Sequence, residues 1–426
     1  YSAWLDKTNK INDNLTVISK FYFDQQNVEN KMQTTADNPV VGNATDANKG
    51  KYQIIEYGAR TFGTEFQANY NLKKNMIVSG VQFERLALID YYFHTLVGAN
   101  TFLSVLAQED RSRTVMGAYL QDEYKPNQFL GFTAGLRYDK YSDFGNTTNP
   151  KIGAVYLFGK HFKKDYFKGL GLKVSYATAF RAPTFQELYD KTEANLVYGA
   201  VGNSDLKPEK IKTKEIALEY EYKMLRFKVN YYTNEIEDQI GYFPGLLGQV
   251  QGSSNQYFNN SNLVKTKGYE IEARTTKYTF LKFLPDMWTW FNISKVKVEA
   301  DAFKIGITPM SAVTRTELPQ WELNFGINTG ITDYFRLSCN YEVISDRYSN
   351  SRTSIERELK ARWKIPEQDE YNIHFYTTPK LIKDYTLGIK IFNAGDENAY
   401  DDPTTVGSQE VQRENRTSLF YIKAKF

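Results

Sequence analysis

From Leu225 the chain alternates, with Leu225, Phe227, Val229 and Tyr231 on one side and Arg226, Lys228, Asn230 and Tyr232 on the other. A period of two sends successive side chains to opposite faces of a β-strand. The pattern returns in Trp321, Leu323, Phe325 and Ile327 against Gln320, Glu322, Asn324 and Gly326. It returns again in Phe335, Leu337, Cys339, Tyr341 and Val343 against Arg336, Ser338, Asn340 and Glu342. Each strand therefore has one apolar face. Ahead of the first of them, Glu215, Glu219 and Glu221 share the side taken by Arg226 and Lys228 across a turn near Lys223. That arrangement lets opposite charges pair across the hairpin.

An apolar strand face goes either to a protein core or to lipid, with the polar face on solvent or on a wet lumen. Length separates the two: the strands run about 9 to 12 residues, a tilted membrane crossing, whereas globular strands average about 5 to 6. Connections also alternate. Short links fall near Asn71 to Asn75, Lys125 to Asn127, Tyr222 to Met224 and Gly330 to Asp333, with long polar segments near 25–49, 94–111, 180–210, 241–262, 299–319, 346–369 and 394–415. Short turns at one end and long loops at the other are the mark of an outer-membrane barrel. The fold class predicted is all-β, a transmembrane antiparallel up-and-down β-barrel. Counting back from Phe426 gives about sixteen full strands, with residues 1–10 as part of another.

Composition narrows the function. Aromatics make up 15% of the chain, with 32 Tyr and 28 Phe, as interfacial girdles require. Mean hydropathy is −0.54, and no apolar run reaches the roughly 18 to 20 residues of a membrane helix. The 53 basic and 50 acidic residues are interspersed, not gathered in the basic stripe of a nucleic-acid binder, so no nucleic-acid partner is expected. A single cysteine, Cys339, excludes an intramolecular disulfide, and three scattered histidines leave little for zinc chemistry. No resident metal or cofactor is expected. Nothing resembling a Ser/His/Asp group, a phosphate loop or a poised carboxylate pair stands out, which points away from an enzyme. Asp396, Glu397, Asp401 and Asp402 form an acidic cluster able in principle to bind calcium, and are read as a solvated loop. Tyr1 follows no initiator Met or signal segment, so a mature or truncated chain is expected.

The stretch TAFRAPTFQELYD at 178–190 breaks the alternation. The strand before it sends Leu172, Val174 and Tyr176 outward and Lys173, Ser175 and Ala177 inward. Pro183 has no N–H and biases Ala182 away from helical geometry, so the ladder must stop there. Thr184 with Glu187 three residues on predicts a capping box opening a short helical turn.

These residues carry a resemblance. FRAPTFQELY followed by VGNSDLKPEKIKTKEIALEYEYK resembles the FRAP and NPxL-PE region of TonB-dependent outer-membrane receptors. NPKIGAVYLF at 149–158, YFNNSNLVKTKGYEIEART at 257–275, ELPQWELNFGIN at 317–328 and IFNAGDENAYDDP before the last strand match in the family's order. The motif residues are Phe180, Arg181, Ala182, Pro183, Asn203, Leu206, Pro208 and Glu209, with Ser204 where the family often has proline. The resemblance implies a barrel of 22 strands closed by an N-terminal plug, a lumen size the strand number allows. About sixteen or seventeen strands are present, and an open sheet leaves lipid-exposed edges that membranes do not tolerate. Residues 1–426 are thus expected to be one partial barrel domain, without its plug, TonB box and first strands.

The function expected is likewise implied by the resemblance. The protein would carry a scarce small-molecule ligand across the bacterial outer membrane, driven through its plug by the TonB–ExbB–ExbD complex. An iron chelate such as a siderophore is the first choice. Haem, cobalamin or a glycan are alternatives within the family; the rival classes are a sixteen-stranded diffusion porin and a barrel enzyme, the latter needing a catalytic Ser or Asp/His pair at the rim that the three His positions do not suggest. Haem is disfavoured because no histidine lies between the two motifs, although His94 in YYFHTLVGAN is a candidate contact. Recognition should fall on loop tips and the upper lumen, at Arg181, Tyr189, Tyr198, Tyr242, Phe243, Tyr257 and Phe258. The closing alternation of Phe420, Ile422, Ala424 and Phe426 ends on the aromatic that the barrel-assembly machinery would recognise. Outer-membrane lipid and lipopolysaccharide complete the expected partners, and an accessory surface lipoprotein is left open.

Overall fold

A computed structural model describes the chain apart from residues 34–51, 97–101, 109, 191–201, 242–256, 261–262, 277–285, 301–303, 306–307, 310–318, 349–363, 398–399, 402–410, 413–414 and 426. Among the described residues the alternating segments become seventeen wall strands. The first six are β1 (Ser2–Lys10), β2 (Leu15–Gln33), β3 (Tyr52–Asn71), β4 (Asn75–Leu96), β5 (Arg111–Tyr124) and β6 (Leu130–Tyr141). Next come β7 (Gly145–Leu157), β8 (Leu170–Arg181), β9 (Glu209–Tyr222), β10 (Leu225–Glu237), β11 (Val264–Thr275) and β12 (Met287–Ala300). The last five are β13 (Trp321–Gly330), β14 (Phe335–Ile344), β15 (Gln368–Thr377), β16 (Tyr385–Phe392) and β17 (Thr417–Ala424). Each pairs antiparallel with the next. The main sheet counts 18 strands because Phe102–Gln108 pairs with the outer end of β4. This is the expected up-and-down meander, and β1 is a strand over the residues 1–10 that the sequence pattern marks.

Register decides what each face presents. Ile152 lies opposite Tyr176, Val174 opposite Ile216, and Leu172 opposite Leu218. These side chains form the outer face; Ile152 is 55% and Ile216 46% exposed, an arrangement that is stable only where lipid covers it. The inner face is polar. Glu219 faces Lys228 and Glu221 faces Arg226, with Arg226 Nη2 3.1 Å from Glu221 Oε1, as the hairpin charges predict.

On that inner face, aromatic rings lie over a glycine directly opposite on the neighbouring strand: Tyr22 on Gly63, Tyr119 on Gly80, Tyr232 on Gly268, Trp290 on Gly326 and Tyr421 on Gly388. Each ring occupies the space a β-carbon would need. A Cβ built at Gly63 would come within 2.1 Å of the Tyr22 ring, and one at Gly326 within 1.9 Å of Trp290. The rings thus lie against the wall instead of projecting into the lumen.

The loop boundaries differ from the expectation in four places. β2 reaches Gln33, well into the segment read as loop at 25–49, and β4 reaches Leu96, a short way into that at 94–111. Beyond the lipid both faces of a strand are wet, so QQNVENKMQ has no apolar face to mark it. The connection 142–144 is tight although it lies at the long-loop end, and 158–169 is long although it lies at the short-turn end. The second contains a short helix, α1 (Phe158–Phe162).

Candidate functional site

The long-loop end is organised around the place where β8 stops. Arg181 and Glu209 are the last register pair of β8 and β9, and Pro183, without an N–H, is fully buried directly after them. Thr184 then caps α2 (Phe185–Tyr189). Glu187 N donates to Thr184 Oγ1 at 3.1 Å, and Thr184 N donates to Glu187 Oε2 at 2.7 Å, completing the predicted capping box. The same Glu187 carboxylate receives Arg181 Nη1 and Nη2, each at 3.0 Å. Arg181 also gives Nε to Glu209 Oε2 at 2.8 Å and Nη2 to Glu209 Oε1 at 2.9 Å. One guanidinium therefore ties strand exit, helix start and strand re-entry together, and its nitrogens are taken up by two carboxylates.

Beneath this clamp sits a second arginine, 7% exposed. Arg113 on β5 gives Nε to Asp143 Oδ1 and Oδ2 at 2.9 and 2.7 Å and Nη2 to Pro183 O at 2.8 Å. Its guanidinium carbon also lies 4.9 Å from the Phe185 ring centroid and 5.0 Å from that of Phe144. Arg111 takes the same position over Tyr189, at 4.7 Å. Burial raises the Tyr189 phenol above its usual pKa of 10.0, with the nearby Asp143 charge adding to the effect.

The returning motif closes the corner. Gly202 N donates to Asp190 O and Asn203 N to Glu187 O, both at 2.8 Å. Only glycine fits at 202, because a Cβ would sit 2.5 Å from the backbone nitrogens of Tyr189 and Asp190. Asn203 Oδ1 accepts from Asp205 N at 2.9 Å, an Asx turn, while its Nδ2 donates to Tyr257 O at 2.9 Å. Leu206, 2% exposed like Leu188 of α2, fills the interior. Asn259 extends the lock to the next loop: it accepts from Lys207 N at 2.8 Å and donates to Asp238 O at 2.8 Å.

The structure thus brings Arg181, Tyr189, Asn203, Leu206, Pro208, Glu209, Tyr257 and Phe258 to one corner. Phe258 belongs to a three-residue strand opposite Gln239–Gly241. His94 lies elsewhere, on the outer extension of β4 with Ile54 and Ser104 as Cα partners. Tyr198, Tyr242, Phe243, Asp402 and Phe426 lie outside the described residues. Asp396 accepts the Arg416 backbone N–H at 2.9 Å and belongs to a turn. Sequence reasoning missed Arg111, Arg113 and Asp143. The signal available was the alternating pair RSR at a strand start, but a partner 70 residues away leaves no local trace.

Below the corner the lumen wall is charged and internally bonded. Lys20 meets Glu65 at 3.0 Å, and Tyr119 OH donates to Glu65 Oε1 at 2.7 Å and Gln67 Oε1 at 3.0 Å. Arg137 bridges Asp139 at 2.6 Å and Gln82 at 2.8 Å. Polar in, apolar out and loops at one end define a β-barrel wall of the outer-membrane class.

The chain belongs to the TonB dependent receptor-like, beta-barrel family, whose model matches residues 2–394. Such barrels reside in the outer membrane of Gram-negative bacteria, and this wall lies there too. PirA of Acinetobacter baumannii, described as a probable TonB-dependent siderophore receptor, is 27% identical over 179 residues, 38% of this chain and 22% of its own. The vitamin B12 transporter BtuB of Vibrio vulnificus is 32% identical over 158 residues, 37% of this chain and 22% of its own. The solved structure of the ferric-catecholate import receptor Fiu from K12 E. coli superposes with a TM-score of 0.69 at 14% identity, over 100% of this chain and 64% of that one. The chain therefore covers less than two thirds of these relatives' lengths.

Proposed function

We propose that this chain is the greater part of the wall of a TonB-dependent transporter that takes up an iron chelate of the siderophore type. The observation that carries the reading is a wet, charged lumen wall beneath long loops whose bases are locked by the Arg181–Glu187–Glu209 clamp. A ligand held at such a rim is carried inward only if another part of the protein exchanges energy for release, since capture alone shifts no equilibrium without differential binding to the two states. In this reading a plug and the TonB–ExbB–ExbD complex supply that exchange. PirA, a relative by sequence, supports the siderophore class, and BtuB keeps cobalamin as the second ligand to be tried.

Within this reading Arg181 acts as a clamp, because its donors already serve carboxylates. Tyr189, Tyr257 and Phe258 stand at the same corner and are proposed as ligand contacts, together with Tyr198, Tyr242 and Phe243 and with His94 on the outer extension of β4. The test is uptake by a strain deleted for the full-length gene, supplied with single ferric siderophores, haem or cobalamin. Loss of growth on one ferric chelate is expected. Unchanged uptake of every iron chelate overturns the ligand class, and steady ligand-free ion conductance of the full-length protein in planar bilayers overturns the transporter in favour of a porin.

A further inference from the structure

The long connection at the short-turn end, FGKHFKKDYFKG at 158–169, has no role in ligand capture at the opposite rim. It carries Lys160, Lys163, Lys164 and Lys168 against one acid, Asp165. All four lysines are exposed, and among the described residues none has an ion-pair partner. Its rings cluster: His161 stacks on Phe162 at 4.6 Å between centroids, Phe162 lies tilted against Phe167 at 5.2 Å, and Phe129 of the neighbouring turn stacks on His161 at 4.3 Å. This cluster has no buried interior, and no residue of α1 is buried. Phe162 is 48% and Tyr166 62% exposed.

The direction in which the segment folds is fixed by its contacts with the wall. Tyr156 lies opposite Leu172 on the outer, lipid-facing register, and it meets Phe158 edge-on at 4.7 Å and hydrogen-bonds His161. Tyr220, opposite Leu170 on the same face, donates its hydroxyl to Tyr166 O at 3.2 Å. Tyr222, stacked on Tyr220 at 6.1 Å, donates to Asp165 Oδ2 at 2.7 Å. The aromatic cluster is therefore continuous with the lipid-facing girdle, and the lysines sit just beyond it, at the periplasmic end by the rule of short turns.

We infer that residues 158–169 form a binding site for the headgroup of an anionic glycerophospholipid in the periplasmic leaflet. The rings enter the interface, where aromatic side chains are most stable, and the lysines reach the phosphate oxygens. Cations without an ion-pair partner among the described residues, beside exposed rings that continue the lipid-facing girdle, are satisfied by that chemistry, since each lysine near an anionic surface gains about 1 kcal/mol, roughly fivefold in binding.

Full-length protein in neutral detergent is titrated with phosphatidylglycerol or phosphatidylcholine, and bound lipid is counted by native mass spectrometry. Wild type should prefer phosphatidylglycerol by about twenty-fivefold or more, and the preference should collapse toward 1 M salt, where the screening length falls to about 3 Å. Lys163→Gln with Lys164→Gln should lower phosphatidylglycerol binding about twenty-fivefold. Lys73→Gln with Lys74→Gln, on another turn of the same end, should leave it within about twofold. Equal affinity of wild type for the two lipids overturns the inference, as does an equal loss in both double variants. Tighter binding of lipopolysaccharide through the same lysines overturns it too. The salt titration needs no variant, so a variant that fails to fold leaves the test intact.

Discussion

Arg113 offers the sharpest test of how the loop corner is held. Its side chain and that of Asp143 are 8% and 7% exposed and lie 2.7 Å apart, and Pro183 O depends on the same guanidinium. Removing one partner of a buried ion pair leaves an uncompensated charge and costs about 3 to 5 kcal/mol. Arg113→Ala strips Asp143 of its cation, Pro183 O of its donor and Phe185 of the charge over its ring. The wall is held by separate ladders, so the loss should stay local. Amide exchange reads it at Gly202 and Asn203, whose N–H groups bond to Asp190 O and Glu187 O. In the regime where exchange reports the opening equilibrium, 3 kcal/mol is about a 150-fold faster exchange at those two amides. Amides in the middle of β13 should be unchanged. Arg113→Met with Asp143→Leu should recover most of the loss, because replacing both charges by apolar groups is often neutral. A change under about tenfold in Arg113→Ala, or a double variant as open as the single, refutes the assignment of Arg113 as the buried support of the corner.

Two further outcomes rest on the same kind of geometry. Gly326→Ala should displace the Trp290 ring into the lumen and break its Nε1–H bond to Asn324 Oδ1, now 2.9 Å. The expected cost is about 1 to 3 kcal/mol, read as a lower unfolding midpoint with red-shifted tryptophan emission, and an unchanged spectrum would refute it. Burial favours the neutral Tyr189 phenol, so its contribution to the corner is complete below the ordinary pKa of 10.0 and is lost as pH rises through the raised value. Proteolytic nicking of the loops should therefore increase above about pH 10 in wild type and much less in Tyr189→Phe; identical pH profiles would count against it.

Much of the wall was legible because lipid imposes a strict rule. Leu225 to Tyr232 must alternate, and the structure places Glu219 opposite Lys228 as the alternation requires. The capping box at Thr184 was equally readable, being a local interaction over three residues. Legibility failed where the environment on the two faces became alike, as in the outer half of β2, and where partners are distant in the chain. Arg113 and Asp143 are 30 residues apart, and neither differs in composition from the solvated charges around it. The motif pointed to Arg181 as a ligand contact, and the structure places it at the corner. What the string of letters did not convey was its occupation by two carboxylates.

The aromatic–glycine pairs have a consequence for how the wall is assembled. Alternation rejects a slip of one residue, since every apolar side chain would change face, but a slip of two preserves both faces. Such a slip would set Tyr22 against Glu65 or Thr61 in place of Gly63, and Trp290 against Asn324 or Asn328 in place of Gly326. Each of those positions fills the space that the ring needs. Along five separate seams the chain thus carries a parity-independent check, a keyed notch that accepts a neighbouring strand at one offset and resists the next allowed one.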